Sequence, residues 1–177
     1  SVTLEMTVGE LLARSIARVA HLDNTKVILR RLASGEREEA LRKIKRMDRL
    51  IAKKGGRYTM FQPTQDMAIE EIMAAVHSFG ADAVYIDYIS LLKGADGDDQ
   101  WRVLGQIARF GKVYAGNHNK VMGLLAQVNE DGRLRYSQAV KEHSSLAWTF
   151  NATKQSKELG YLNFEHLKAR NQDGRPF

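Results

Sequence analysis

The chain has 177 residues, of which 44% are hydrophobic and none is cysteine. That length supports one domain with its own core, and the composition excludes disulfides, thiolate metal sites and a cysteine nucleophile. The net charge of +6 and a pI near 9.6 suit a polyanionic partner, because clustered lysine and arginine release counterions from phosphates.

In chain order, the spacing predicts a helix from about Thr7 to Ala20, carrying Val8, Leu11, Leu12, Ile16 and Val19, with Thr7 and Glu10 placed as a capping box. A second helix is predicted from about Gly35 to Lys54, ended by Gly55-Gly56. Its Leu41, Ile44, Met47, Leu50 and Ile51 make one apolar face. Arg42, Lys43, Lys45, Arg46, Arg49, Lys53 and Lys54 read as the solvated side of that helix in preference to a nucleic-acid surface. Arg57 to Phe61 reads as a strand and Pro63-Thr64 as a turn. A helix near Asp66 to Phe79 follows, burying Ile69, Ile72, Met73, Val76 and Phe79.

Ala83-Val84-Tyr85-Ile86-Asp87-Tyr88 is a short apolar run closed by one acid, the pattern of a buried parallel strand that delivers a carboxylate to its C-terminal end. From the residues alone, Asp87 reads equally as a Mg²⁺-holding acid and as a loop-bonding or helix-capping carboxylate. Strand, helix and strand in this order make a β-α-β unit, which requires parallel strands. Lys93 to Asp99 is polar and glycine-rich and reads as a loop on the same edge as Asp87, followed by a helix from about Gln100 to Ala115. Val121 to Ala126 is a fully apolar strand that presents Gln127 and Asn129 at its end. A basic, polar stretch runs from Glu130 to Glu142, then Leu146 to Phe150 resumes strand character. Tyr161 to Lys168 alternates large apolar with polar residues, the period of a strand with one solvated face. There is no repeat and no interdomain linker, so one domain over 1–177 is expected. His21, His77, His118, His143 and His166 lack ligand-like spacing, which argues against metal binding beyond Mg²⁺.

Four segments in order, Thr3-Leu4-Glu5-Met6-Thr7, Tyr85-Ile86-Asp87-Tyr88, Leu125-Ala126-Gln127-Val128-Asn129 and Lys168-Ala169-Arg170-Asn171, resemble successive motifs of the RecA-like motor domain of DnaB-type replicative helicases, bacterial and phage. The resemblance spans nearly the whole chain and rests on the ordered set. It implies a P-loop NTPase fold, with a mainly parallel sheet and helices on both faces, and hydrolysis of ATP with Mg²⁺ coupled to translocation on single-stranded DNA and duplex unwinding. By this likeness Glu5 polarises the attacking water, Asp87 holds Mg²⁺, and Gln127 senses the γ-phosphate. Lys168 and Arg170 reach the neighbouring subunit's nucleotide. Taken singly, Glu5 also reads as a surface acid near a helix start, Gln127 as a loop amide, and the Lys168 and Arg170 pair as a solvated strand edge.

The family's DNA-contacting loops correspond to Lys93–Asp99 and to about Asp131–Lys141. Arg133, Arg135 and Lys141 with Tyr136 make the second the better candidate, because the first carries Asp96, Asp98 and Asp99. The resemblance further implies a hexameric ring, a primase and a helicase loader as partners, and a cytoplasmic location in a bacterial cell or phage-infected host. No membrane association is expected: no apolar run approaches the roughly 20 residues of a membrane helix, and the opening residues lack the pattern of a secretory signal.

The chain departs from the family in several places. The phosphate-binding loop G-x-x-x-x-G-K-[ST] that should precede Glu5 is not in the sequence, and Gly105 to Val113 is a decoy with the wrong spacing inside a helical pattern. The expectation is therefore a motor domain truncated at its N-terminus and inactive alone. Glu130 stands where the family commonly has arginine, Glu142-His143-Ser144-Ser145 follows the family pattern loosely, and Lys141 replaces an arginine. A recombinase-type or clock-type ATPase and a non-catalytic nucleic-acid-binding relative are the alternatives. Retention of both Glu5 and Asp87 weighs against the last.

Overall fold

The computed structural model describes residues 1–63, 67–94, 100–127 and 138–169. Contacts divide the chain into two compact units, Ser1–Thr64 and Gln65–Phe177.

In the first unit a short strand, β1 (Val2–Thr3), leads into helix α1 (Val8–Ala20). The capping box forms as expected: the Thr7 hydroxyl accepts from the Glu10 amide at 3.2 Å, and the Glu10 carboxylate accepts from the Thr7 amide at 2.9 Å. Helix α1 stops at His21, which takes a left-handed conformation while the Leu22 amide reaches back to the Ala17 carbonyl. A five-residue helix, α2 (Asn24–Ile28), capped by Asp23, was not legible in the sequence. Helix α3 (Ser34–Lys53) ends where Gly55-Gly56 predicts. Gly55 has φ 69°, and the amides of Gly55 and Gly56 return to the Ala52 and Ile51 carbonyls, the two-bond closure that a left-handed glycine permits.

Two expectations need correction here. The apolar face of α3 is only partly covered: Ala40 is buried, but Leu41 and Leu50 are exposed. The predicted strand 57–61 reduces to a parallel bridge between Val2 and Phe61, flanked by bonds from the Ser1 ammonium to the Thr59 carbonyl and from the Phe61 amide to the Ser1 carbonyl.

The second unit begins with α4 (Ile69–Ser78), three residues later than predicted, and its Ile69, Ile72, Met73 and Val76 are buried at helical spacing. Strand β2 (Ala83–Asp87) follows, then a 3₁₀ turn (Ile89–Leu91), helix α5 (Gln100–His118) and strand β3 (Val121–Leu124). β2 and β3 run parallel, pairing Ala83 with Val121 through Ile86 with Leu124. A β-α-β unit is present, but it is built from β2, α5 and β3 and not from the expected 57–61 strand, α4 and β2; the fold is α/β with a small parallel sheet. β2 is covered on one face only: Val84 and Ile86 are buried, whereas Ala83 and Tyr85 are exposed. Ile72, Met73, Ile86, Ile89 and Leu104 are the largest fully buried apolar side chains of this unit, each worth about 1.5–3 kcal/mol of burial.

Helix α6 (Gln138–His143), also unpredicted, packs on α5 at Gly105, where a Cβ would come within 2.8 Å of the Ala139 Cβ. The remaining strands depart from the expectation of a mainly parallel sheet. β4 (Leu146–Asn151) and β5 (Asn163–Ala169) pair with each other, antiparallel, with a register irregularity between Ala147 and Trp148 and the short helix α7 (Lys154–Glu158) between them. Among the described residues, no helix is long and apolar enough to cross a membrane.

Candidate functional site

Parallel pairing fixes which residues share an edge. β2 ends at Asp87 and β3 ends at Leu124, the partner of Ile86, so Asp87 and Gln127 leave their strands at the same carboxyl edge. The backbone stays locked there: the Leu125 amide donates to the Ile86 carbonyl and the Leu125 carbonyl accepts from the Ile89 amide, both at 3.0 Å. Asp87 is half-buried and Gln127 exposed, and the peptide between Asp87 and Tyr88 is cis. In open α/β sheets this edge is where ligands bind. A half-buried carboxylate is a hard-oxygen donor of the kind Mg²⁺ takes. No cluster of three or more metal-ligating side chains occurs among the described residues, so the ion would take its remaining ligands from water and phosphate oxygens, as Mg²⁺ commonly does.

The other expected residues lie elsewhere or outside the described residues. Glu5 belongs to the first unit, exposed on the turn between β1 and α1. Thr3 holds that turn: its buried hydroxyl donates to the Met6 carbonyl at 2.7 Å and accepts from the Met6 amide at 3.2 Å. Lys168 is on β5, and its ammonium donates to the carbonyls of Lys141 at 2.8 Å and Glu142 at 2.7 Å. A cation at the last carbonyls of α6 satisfies acceptors that the helix leaves open and complements its dipole. Lys141, a predicted DNA contact, is half-buried on α6. Arg133, Arg135 and Arg170 lie outside the described residues, as do Asn129 and the 95–99 part of the first predicted loop.

Sequence reasoning missed two local constructions. One is the capping role of Lys168, which depends on α6. The other is a ring cluster in an open pocket of about 390 Å³ between α4 and α5. There Phe110, Tyr114 and His118 follow each other at four-residue spacing on α5 and meet His77 from α4. The spacing on α5 was visible; the partner from α4 was not. A second pocket, of about 480 Å³, lies in the first unit beside Arg14, Arg18 and His21. Neither pocket is lined by Asp87 or Gln127. No family model matches the chain, and no curated protein matches it either.

Proposed function

We propose that this chain is part of the RecA-like motor domain of a DnaB-type replicative helicase, an ATPase that uses Mg²⁺ and moves along single-stranded DNA as a ring of like subunits. The observation that carries the reading is the common edge of Asp87 and Gln127 on a parallel strand pair, because the ordered motifs require an acid and a neutral amide there. In this reading Asp87 holds the metal, Gln127 registers loss of the γ-phosphate, and Glu5 orients the attacking water. Lys168 and Arg170 act on the neighbouring subunit's nucleotide, and Arg133, Arg135 and Lys141 face the DNA backbone. To serve as a finger, Lys168 must first release the carbonyls of Lys141 and Glu142.

The test is Mg²⁺-dependent ATP hydrolysis, with and without single-stranded DNA, by the polypeptide that carries this domain. Asp87→Asn is expected to lower turnover by about 10²-fold or more. Gln127→Ala is expected to abolish stimulation by DNA while leaving basal turnover. Full activity in Asp87→Asn would exclude the metal-holding role and, with it, the helicase reading. Binding of single-stranded DNA without any hydrolysis would favour the non-catalytic relative.

A further inference from the structure

His77 lies in the last turn of α4, ahead of β2, and His118 is the last residue of α5, ahead of β3. Both therefore sit at the amino edge of the strand pair, the end opposite Asp87 and Gln127. Their ring centroids are 5.3 Å apart, with the planes inclined at 65°. Both residues are exposed and line the open pocket between the two helices. Tyr114 touches both rings: its hydroxyl is 3.2 Å from His77 Nδ1, and its ring centroid is 4.4 Å from that of His118.

That spacing is within the range of an ordinary edge-on ring contact, and it also meets the centre-to-centre requirement of two imidazoles on one metal. A metal bound 2.0–2.1 Å from an imidazole nitrogen sits roughly 3.2 Å from the ring centre, so two imidazoles at adjacent corners of a tetrahedron have centres roughly 5.2 Å apart. Tyr114 supplies the supporting contact that ligating histidines usually have. With Nδ1–H of His77 donating to the hydroxyl, the lone pair stays on Nε2 and the ring is held in one orientation. Imidazole nitrogens suit borderline divalent ions such as Zn²⁺, Co²⁺ and Ni²⁺, and discriminate against Mg²⁺ and Ca²⁺, which prefer oxygen.

We propose that His77 and His118 form a two-histidine site for Zn²⁺ or a related borderline divalent ion, oriented by Tyr114 and completed by water. The bound ion ties the carboxyl end of α4 to that of α5, and so fixes where α4 leads into β2 and α5 into β3. The role is structural, and it is independent of the nucleotide chemistry proposed at the opposite edge.

The probe is ZnCl₂ titrated into the untagged, metal-free chain by calorimetry, with CoCl₂ as the spectroscopic counterpart. One equivalent is expected, with visible Co²⁺ absorption of the tetrahedral kind and no competition from excess Mg²⁺. His77→Ala and His118→Gln should each abolish this binding. Because both residues are exposed, neither change should alter the circular dichroism spectrum. Tyr114→Phe keeps the ring and removes the hydroxyl, and should weaken Zn²⁺ by about tenfold or more while preserving the stoichiometry. Zn²⁺ should raise the thermal midpoint of the wild-type chain and leave those of both histidine variants unmoved. Absence of binding in the wild type, or equal binding in both histidine variants, would overturn the proposal.

Discussion

The second unit contains two strand pairs of opposite character. In the parallel pair β2–β3 the apolar residues at alternate positions of β2 are covered, with Val84 and Ile86 3% and 0% exposed. In the antiparallel pair β4–β5 the aromatic face is open: Trp148, Phe150 and Phe164 are 49%, 56% and 60% exposed. These rings meet one another, Phe164 lying 6.2 Å from Trp148 and 5.4 Å from Phe150 between centroids. On the other face Thr149 is buried, and its hydroxyl has no hydrogen-bond partner among the described residues. Period-two alternation tells which residues share a face. It does not tell which face is covered, because coverage depends on elements distant in sequence.

The largest expected effect sets the two pairs against each other. Ile86→Ala should cost about 2–5 kcal/mol in denaturant unfolding, since it empties a fully enclosed position. Phe164→Ala should cost about 0.5 kcal/mol or less. Equal costs would mean that the aromatic face is covered in solution. Next, Gly105→Leu should cost about 1–3 kcal/mol, because even a Cβ at this position crowds Ala139 and forces α6 away from α5. Thr149→Val tests the inverted pair directly. Removing a buried hydroxyl without a partner while keeping the shape should raise stability by about 1 kcal/mol, and a loss would indicate that the hydroxyl is satisfied.

The smallest effect belongs to a fully exposed helix end. Hydrogen bonds from the Thr7 backbone and side chain, with the charge of Arg14, hold the Glu10 carboxyl below its ordinary value of 4.5. A carboxyl lowered in the folded state contributes stability above its unfolded value, and that contribution is lost as the pH falls through the folded value. Glu10→Gln should therefore be slightly less stable than the wild type near neutrality, with a slightly flatter pH dependence below pH 4.5, where the two forms converge. An identical acid limb in the variant would remove the capping box from the account.

Legibility followed the range of the interactions. The Thr7–Glu10 box and the Gly55-Gly56 stop are set within a few residues, and both were readable. The apolar runs of β2 and β3 were readable too, each with its polar residue at the carboxyl end, while their shared edge follows from the parallel pairing that the structure shows. The segment 57–61 has strand composition, yet only Phe61 finds a bridge partner, and composition cannot supply the missing ladder. Helix α6 was hidden in a stretch that reads as basic loop. Its packing needs the bare surface at Gly105, which gains meaning only once the two helices meet. Likewise His77 and His118 are far apart in the chain, and their rings come together only where the ends of α4 and α5 meet.

Lys168 offers a last consequence. One ammonium, shared by two carbonyls, joins the end of α6 to a strand that follows it by more than twenty residues, and does so with bonds that any strong anion can compete for. An anion that draws Lys168 away hands the Glu142 carbonyl back to water and leaves the Lys141 carbonyl to the Ser144 amide, so the last turn of α6 becomes a gauge of the cation's occupancy. Amide exchange at Ser144, whose N–H bonds to the Val140 and Lys141 carbonyls, would read that gauge without any label on the lysine itself.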